Sequence, residues 1–315
     1  MSSTIKLNSG HEMPILGLGT YLTKSQQMDE VLPEAIKTGY KLIDTAFAYG
    51  NQEGIGMTIG KLIEEGKIKR DNLFIETKIW NTMHTYERAK EAINENLRQL
   101  NLPYVDLMLI HYPMAVKPGD AMFPLDDYGK VIEGDGHFTE VWRALEDAVA
   151  EGKVKSIGIS NFNHKQIERL LAIAKIKPAV NQIEMHPYLQ QQKLREFCKE
   201  KNIAITAYGS LSSPGDKVYR NMEVPNLLTD PVIVEIAKKH NRTPAQIALR
   251  WALQNGVAII PKADDPTYMK ENMQIFDFEL DADDLAKIEK LDRGIRCFGV
   301  EMCTNHKEFP FAEEY

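Results

Sequence analysis

The chain has 315 residues, 43% of them hydrophobic and 26% charged, with a formal net charge of −7. That length suits two average domains or one large α/β barrel, and an acidic balance without a basic block excludes the footprint of a nucleic-acid binder. No run approaches the roughly 20 apolar residues of a membrane span, and the start MSSTIKLNSG lacks a secretory leader's apolar segment, so the expectation is a cytoplasmic protein without membrane contact.

Near the N-terminus, TIKLNSGHEMPI reads as a hairpin turning at Asn8, Ser9 and Gly10, sized to plug a barrel floor. Short runs rich in Ile, Val and Leu then recur at 14–22 (PILGLGTYL), 41–47 (KLIDTAF), 73–79 (LFIETKI) and 105–112 (VDLMLIHY). Four more follow at 154–160 (VKSIGIS), 179–185 (AVNQIEM), 203–210 (IAITAYGS) and 257–263 (VAIIPKA). Between the runs, segments such as MDEVLPEAIKTG, YERAKEAINENLRQL, TEVWRALEDAVAEG, KQIERLLAIAK and KLREFCKEKN carry helical periodicity with charged faces. Strands alternating with helices imply right-handed crossovers and a parallel sheet. Eight such units at this spacing predict an α/β fold of the (β/α)8 TIM barrel type, and no linker divides residues 1–315 into more than one domain. The GLGT turn at 17–20 lacks the GxGxxG pattern, which argues against an open dinucleotide-binding sheet. DADDLAKIEKLD predicts a capped terminal helix, and the tail RGIRCFGVEMCTNHKEFPFAEEY an irregular loop folded over one face.

In a barrel of this kind, side chains at the C-terminal strand ends build the active site. Run two ends in Asp44 with Tyr49 just beyond, run three reaches Lys78, and run four reaches His111. A buried Asp44 needs a partner, and Lys78 is the available cation. That cation is expected to lower the pKa of Tyr49 and make it a general acid able to protonate an oxygen, with His111 donating to the same oxygen. The arrangement suits carbonyl reduction, with the hydride supplied by a cofactor. Taken singly, each residue has a plainer reading: Asp44 as a turn former, Tyr49 as a rim aromatic, Lys78 as a strand-end cation and His111 as a core histidine. They gain meaning as a set.

The motifs LGLGTY, DTAFAYGNQEGIG, ETKIW, LMLIHYP, GKVKSIGISNFN, NQIEMHPYL, AYGSL, IIPKADDP and CTNHKEFPF run through the chain. On these the sequence resembles the aldo-keto reductase superfamily, and within it the animal aldehyde and aldose reductase branch. The resemblance implies NADPH lying extended across the barrel rim, a small-molecule carbonyl substrate and a monomer. By position, Asp44, Tyr49, Lys78 and His111 match the catalytic tetrad. Gly19 and Thr20 line the cofactor beside Asp44, Ser160, Asn161 and Gln182 hold the nicotinamide carboxamide, and Tyr208 stacks on its ring. Ser210, Leu211 and Ser213 match the pyrophosphate clamp, Lys262 the cation for the 2′-phosphate, and Glu271 and Asn272 the adenine contacts. Tyr268 stands where the family usually has an arginine, and Asp264 and Asp265 bring carboxylates near the phosphate, so a weakened NADPH preference with NADH use is expected. Tyr21 and Tyr112 replace tryptophans of aldose reductases, while Trp80 agrees with them. With Phe47, Ala48, Phe123, Phe298 and Val300 they make a wider, more polar substrate wall that fits a bulky carbonyl. Insect relatives reduce ketosteroid moulting hormones such as 3-dehydroecdysteroids. The same scaffold also serves non-catalytic nicotinamide-binding regulatory or structural proteins, the alternative that an intact tetrad disfavours.

No metal is expected, because His111 and His186 come without an HExxH or carboxylate-rich pattern. Three cysteines, Cys198, Cys297 and Cys303, show no CxxC spacing and argue against a disulfide framework. Cys297 lies near the expected pocket, where oxidation or alkylation would perturb binding. His11, His84, His137, His164, His240 and His306 read as surface or loop residues.

Overall fold

The computed structural model describes residues 3–313 and Tyr315. Strands β1 (Thr4–Lys6) and β2 (Glu12–Pro14) form the antiparallel hairpin, with Thr4 opposite Pro14 and Lys6 opposite Glu12. Its turn is closed by Gly10, whose φ of +89° suits glycine. Asn8 Nδ2 donates to the carbonyls of Pro178 (2.8 Å) and Asn202 (2.9 Å), and Ser9 bonds Ser156 (2.8 Å). Pro178 and Asn202 precede the strands Val180–Glu184 and Ala204–Tyr208, and Ser156 lies near the N-terminal end of the strand Val154–Ser160, so the hairpin seals the floor of the barrel.

The wall consists of β3 (Gly17–Gly19), β4 (Leu42–Asp44), β5 (Phe74–Ile79), β6 (Val105–Ile110), β7 (Val154–Ser160), β8 (Val180–Glu184), β9 (Ala204–Tyr208) and β10 (Ala258–Ile259). Neighbours in sequence are neighbours in the sheet, and every pair is parallel. Parallel bridges Leu16–Ile259 and Gly19–Lys262 close the ring, supported by Gly19 N–H donating to Pro261 O at 3.2 Å. The seam demands glycine, since a Cβ at Gly19 would lie 2.5 Å from Ile260 O. Pro261, which has no N–H for the ladder, ends the short last strand. In β5 and β6 every residue is buried, as expected where a sheet is covered on both faces.

Five expected helices are present as α1 (Met28–Thr38), α3 (Tyr86–Leu100), α4 (Phe138–Ala150), α5 (His164–Leu171) and α6 (Gln192–Glu200). Gly39 at φ +113° stops α1, and Thr85 caps α3 through its side chain. Periodicity does not single out α2 (Gln52–Glu64), α7 (Pro231–His240), α8 (Pro244–Gln254) or α9 (Pro266–Met273). In α2 the reason is its glycines: a Cβ at Gly54 would meet Ser25 O at 2.2 Å, and one at Gly56 would meet Leu100 O at 2.3 Å. Close packing is thus obtained at the expense of helix propensity. The terminal helix α10 (Ala282–Glu289) carries the expected acidic start, a capping box between Asp281 and Asp284. Among the described residues no helix is long and apolar enough to cross a membrane.

Two of the histidines expected as surface or loop residues, His84 and His306, lie in loops but are buried. His306 is buried with Nε2 bonded to Ala115 O at 2.7 Å, anchoring the tail. His84 is also buried, and neither ring nitrogen has a partner. Burial first, then the neighbouring His306 and His137, pushes its pKa down to about 3. The folded protein therefore keeps His84 neutral, while the unfolded chain takes up a proton below the ordinary value of 6.5. Its stabilisation is complete above that value and declines by about 1.4 kcal/mol per pH unit as the pH falls toward 3. Replacing His84 by Gln is expected to remove this slope from urea-denaturation free energies measured between about pH 6.5 and 4.5. The share of His111, which is depressed in the same direction, would remain. An unaltered slope would exclude His84 as its source.

Candidate active site

The polar strand ends converge on the C-terminal rim. Asp44 ends β4, and its carbonyl accepts from Thr20 N (3.1 Å) and Thr20 Oγ1 (2.8 Å), joining it to the exit of β3. The chain then makes a single 3-10 turn, Phe47–Tyr49, closed by Gly50 at φ +62°. Asn51, which sequence reasoning does not single out, locks this corner. Its Nδ2 donates to Thr20 O (2.8 Å) and Thr23 O (3.0 Å), and its Oδ1 accepts from Thr45 Oγ1 (2.8 Å). One buried amide thus ties two rim loops together and sets the height of Tyr49. Its sequence signal, a lone polar residue in a glycine turn, is indistinguishable from an ordinary cap.

Lys78, fully buried, forms an ion pair with Asp44 Oδ1, donates to Thr45 O at 3.0 Å and reaches Tyr49 Oη at 3.3 Å. Burial opposes its charge, but Asp44 more than offsets that and its pKa is raised. Tyr49 has its pKa pushed up to about 12 by burial, with Lys78 pulling it down. The expected acidifying influence of Lys78 is present, yet desolvation outweighs it, so the phenol stays protonated at neutral pH. His111 packs its edge against Tyr49, ring centroids 5.8 Å apart and planes at 78°. Burial and then Lys78 hold its pKa well below the ordinary value, and its Nδ1 is buried without a partner. It is a neutral imidazole.

A chain of hydrogen bonds continues around the rim. Gln182 Nε2 donates to Asp44 Oδ1 at 3.2 Å, and Gln182 O accepts from Ser160 Oγ at 2.9 Å. Asn161, at φ +63°, donates through Nδ2 to His111 O (3.0 Å) and accepts at Oδ1 from Tyr208 Oη (2.7 Å). Ser160, Asn161, Gln182 and Tyr208 therefore form one connected surface beside the Asp44–Lys78 pair. After β9, Gly209 (φ +61°), Ser212 (φ +59°) and Ser213 (φ +43°) turn the backbone tightly, with Ser210 bonded to Ala207 O at 3.1 Å and Leu211 half-buried between them. Ser212 N–H closes this turn onto Gly209 O at 2.7 Å.

Lys262 sits at the seam beside Gly19, but it is ion-paired with Asp264, which also accepts from Thr23 Oγ1 at 2.6 Å. Asp265 caps α9 by accepting from Thr267 N at 2.7 Å, and Tyr268 on α9 is exposed. Glu271 turns its carboxylate to Thr243 Oγ1 (2.6 Å), and Asn272 is buried. These last two are thus partly committed within the fold.

The expected substrate wall is aromatic. Tyr21 lies 5.3 Å from Tyr49 and 6.4 Å from Phe298, and Trp80 lies 5.0 Å from His111 and 5.1 Å from Phe123 (ring centroids). Trp80 and Tyr112 centre an apolar cluster separate from the barrel core, joined by Phe47, Ala48, Phe123 and Val300. Two residues not foreseen belong here: Met122, whose carbonyl accepts from Trp80 Nε1 (2.8 Å), and Tyr219, 6.3 Å from Tyr21 in the loop after β9. Loop residues without periodicity give no sequence signal for such contacts.

The tail is pinned by a buried acid. Glu184 accepts from Cys297 N (2.5 Å), Phe298 N (3.1 Å) and His186 Nε2 (2.9 Å), which holds Phe298 within 6.0 Å of Tyr208. Cys297 lies beside the pocket residue Phe298 as expected, but it is fully buried and burial pushes its pKa up to about 12, so oxidation or alkylation there is disfavoured.

Asp44, Tyr49, Lys78 and His111 thus meet on one rim of a closed parallel barrel, beside the connected Ser160, Asn161, Gln182 and Tyr208. The chain belongs to the Aldo/keto reductase family, whose model matches residues 15–293. It is 43% identical to "Aldo-keto reductase family 1 member C15" of Rattus norvegicus, across 100% of this chain and 98% of that protein. It is 43% identical to "Dihydrodiol dehydrogenase 3" of Bos taurus, over 99% of this chain and 98% of the relative. Against "Prostaglandin F synthase 1" of Bos taurus the identity is 42%, covering 100% and 99%.

Proposed function

We propose that the protein is an NADPH-dependent reductase of aldehydes and ketones, working as a cytoplasmic monomer on small-molecule carbonyls. The observation that carries this reading is the Lys78 ammonium held between the Asp44 carboxylate and the Tyr49 hydroxyl. NADPH, when bound, supplies the hydride that reaches the carbonyl carbon. Tyr49 gives its proton to the carbonyl oxygen, and Lys78 stabilises the phenolate left behind. Neutral His111 orients the same oxygen without adding a second cation to the pocket. Asn161 and Gln182 would hold its carboxamide, the turn at 209–213 its pyrophosphate, and Lys262 its 2′-phosphate. The aromatic wall of Tyr21, Trp80, Tyr112, Phe123 and Phe298 fits a flat, bulky carbonyl, and a 3-ketosteroid such as a 3-dehydroecdysteroid is the leading substrate class. The names of the relatives, a dihydrodiol dehydrogenase and a prostaglandin F synthase, agree with bulky substrates.

The direct test is loss of NADPH absorbance with 4-nitrobenzaldehyde, followed by a screen of sugars, alkenals and 3-ketosteroids ranked by kcat/KM. No turnover at high enzyme concentration would favour a binding protein on the same barrel. The Lys262–Asp264 ion pair supports a weakened cofactor preference, because a 2′-phosphate must compete with a carboxylate already on its cation. Replacing Asp264 by Ala is expected to raise the NADPH-over-NADH ratio of kcat/KM by roughly two- to fivefold, the scale of a partly exposed ion pair. A wild-type ratio above several thousand, or no rise in the variant, would contradict this account.

A further inference from the structure

Two carboxyl groups share the depth of the site with one lysine. Glu76 lies two residues before Lys78 on β5, so both side chains leave the strand on the same face, and its register partner on β4 is Asp44. Glu76 is fully buried. A lysine ammonium has three donors, and those of Lys78 are spent on Asp44, Thr45 O and Tyr49. None is left for Glu76, whose Oε1 accepts from Gln182 Nε2 and whose Oε2 is buried without a partner. A second negative charge there would have no cation of its own. Burial first, then Asp44, holds the Glu76 carboxyl well above the usual carboxylate range, and the two groups lie within hydrogen-bonding reach.

Two acid oxygens, Asp44 Oδ1 and Glu76 Oε1, converge on the same atom of Gln182. That atom is therefore the amide nitrogen, since an amide oxygen there would confront the Asp44 carboxylate, which pairs with Lys78 and can only accept. The orientation leaves Gln182 Oε1 available as an acceptor. We propose that Glu76 is a positioning residue for hydride transfer: with Asp44 it fixes the Gln182 amide so that the free oxygen accepts from the carboxamide NH2 of the nicotinamide. The acid pair thus serves both halves of the chemistry, Asp44 through Lys78 to the proton donor and Glu76 through Gln182 to the cofactor. This role rests on the reductase reading.

The experiment compares Glu76→Gln and Glu76→Leu by NADPH fluorescence titration, steady-state kinetics, thermal melting and infrared spectroscopy of the cofactor-free protein. Glu76→Leu removes an acceptor from Gln182, and its NADPH Kd is expected to rise about tenfold with a fall in kcat, while the melting temperature stays near wild type or rises. Glu76→Gln keeps a carbonyl for Gln182 and offers an N–H to Asp44, so it should restore most of the lost affinity. It should also lack the protonated-carboxyl stretch that the wild type shows. A Glu76→Leu protein with lowered melting temperature but unchanged Kd and kcat would make Glu76 merely structural and overturn the proposal. So would a Glu76→Gln protein as impaired as Glu76→Leu, or one that retains the full acid band. Failure of the wild type itself to bind NADPH would sink the reductase reading instead, whereas wild-type binding shared equally by both variants sinks only the role of Glu76.

Discussion

Replacing Tyr49 by Phe is expected to lower kcat for carbonyl reduction by about 10²- to 10⁴-fold, the usual contribution of a positioned general acid, while leaving the Kd for NADPH unchanged. The ring itself would stay in place, packed beside Tyr21 (5.3 Å) and His111 (5.8 Å between ring centroids). Lys78 would keep its pairing with Asp44 and Thr45 O and lose only the 3.3 Å contact to Oη. The fold should therefore melt close to wild type, and the loss should appear in the chemical step alone. With a pKa of about 12 the donor stays loaded through neutral and mildly alkaline pH. Reduction in the wild type should hence be flat between about pH 6 and 9 and fall only as the phenol begins to ionise. A variant keeping more than a tenth of wild-type kcat would remove Tyr49 from the role.

The barrel is legible in the chain because each strand is a short apolar run and five of the seven crossovers are periodic segments, an alternation strong enough to show through where α2, α7 and α8 do not. Asp44, Lys78 and His111 are legible for a related reason: they are the polar residues that end such runs, and in this architecture strand ends face the site. Glu76 is not, although it touches the same network. It falls in mid-strand, where a polar residue ordinarily reads as one facing outward, and only the double burial of β5 shows otherwise. The sequence exposes the repulsion of Asp264 near a phosphate but not its pairing with Lys262, which depends on the seam between β10 and β3. Long-range partners of single side chains, as with Asn51 or Glu184, leave no periodic trace. They become visible only when strands far apart in sequence are brought together.

Replacing Lys78 by Met should expose how tightly stability and chemistry are joined at this point. Lys78 and Asp44 are both essentially inaccessible, so removing the cation leaves a buried carboxylate beside a second acid, Glu76. Breaking a buried pair from one side costs about 3–5 kcal/mol, and a urea-denaturation free energy lower by that amount is expected near neutral pH. Activity should fall as well, because Tyr49 loses the one neighbour that pulls its pKa down and would hold its proton more tightly still. Adding Asp44→Asn to Lys78→Met removes the orphaned charge, so the double variant should recover most of the stability and none of the activity. A single Lys78→Met protein as stable as wild type at pH 7 would mean that Asp44 is neutralised by something other than Lys78. Equal loss in the single and double variants would place the cost in packing of the lysine stem rather than in the ion pair.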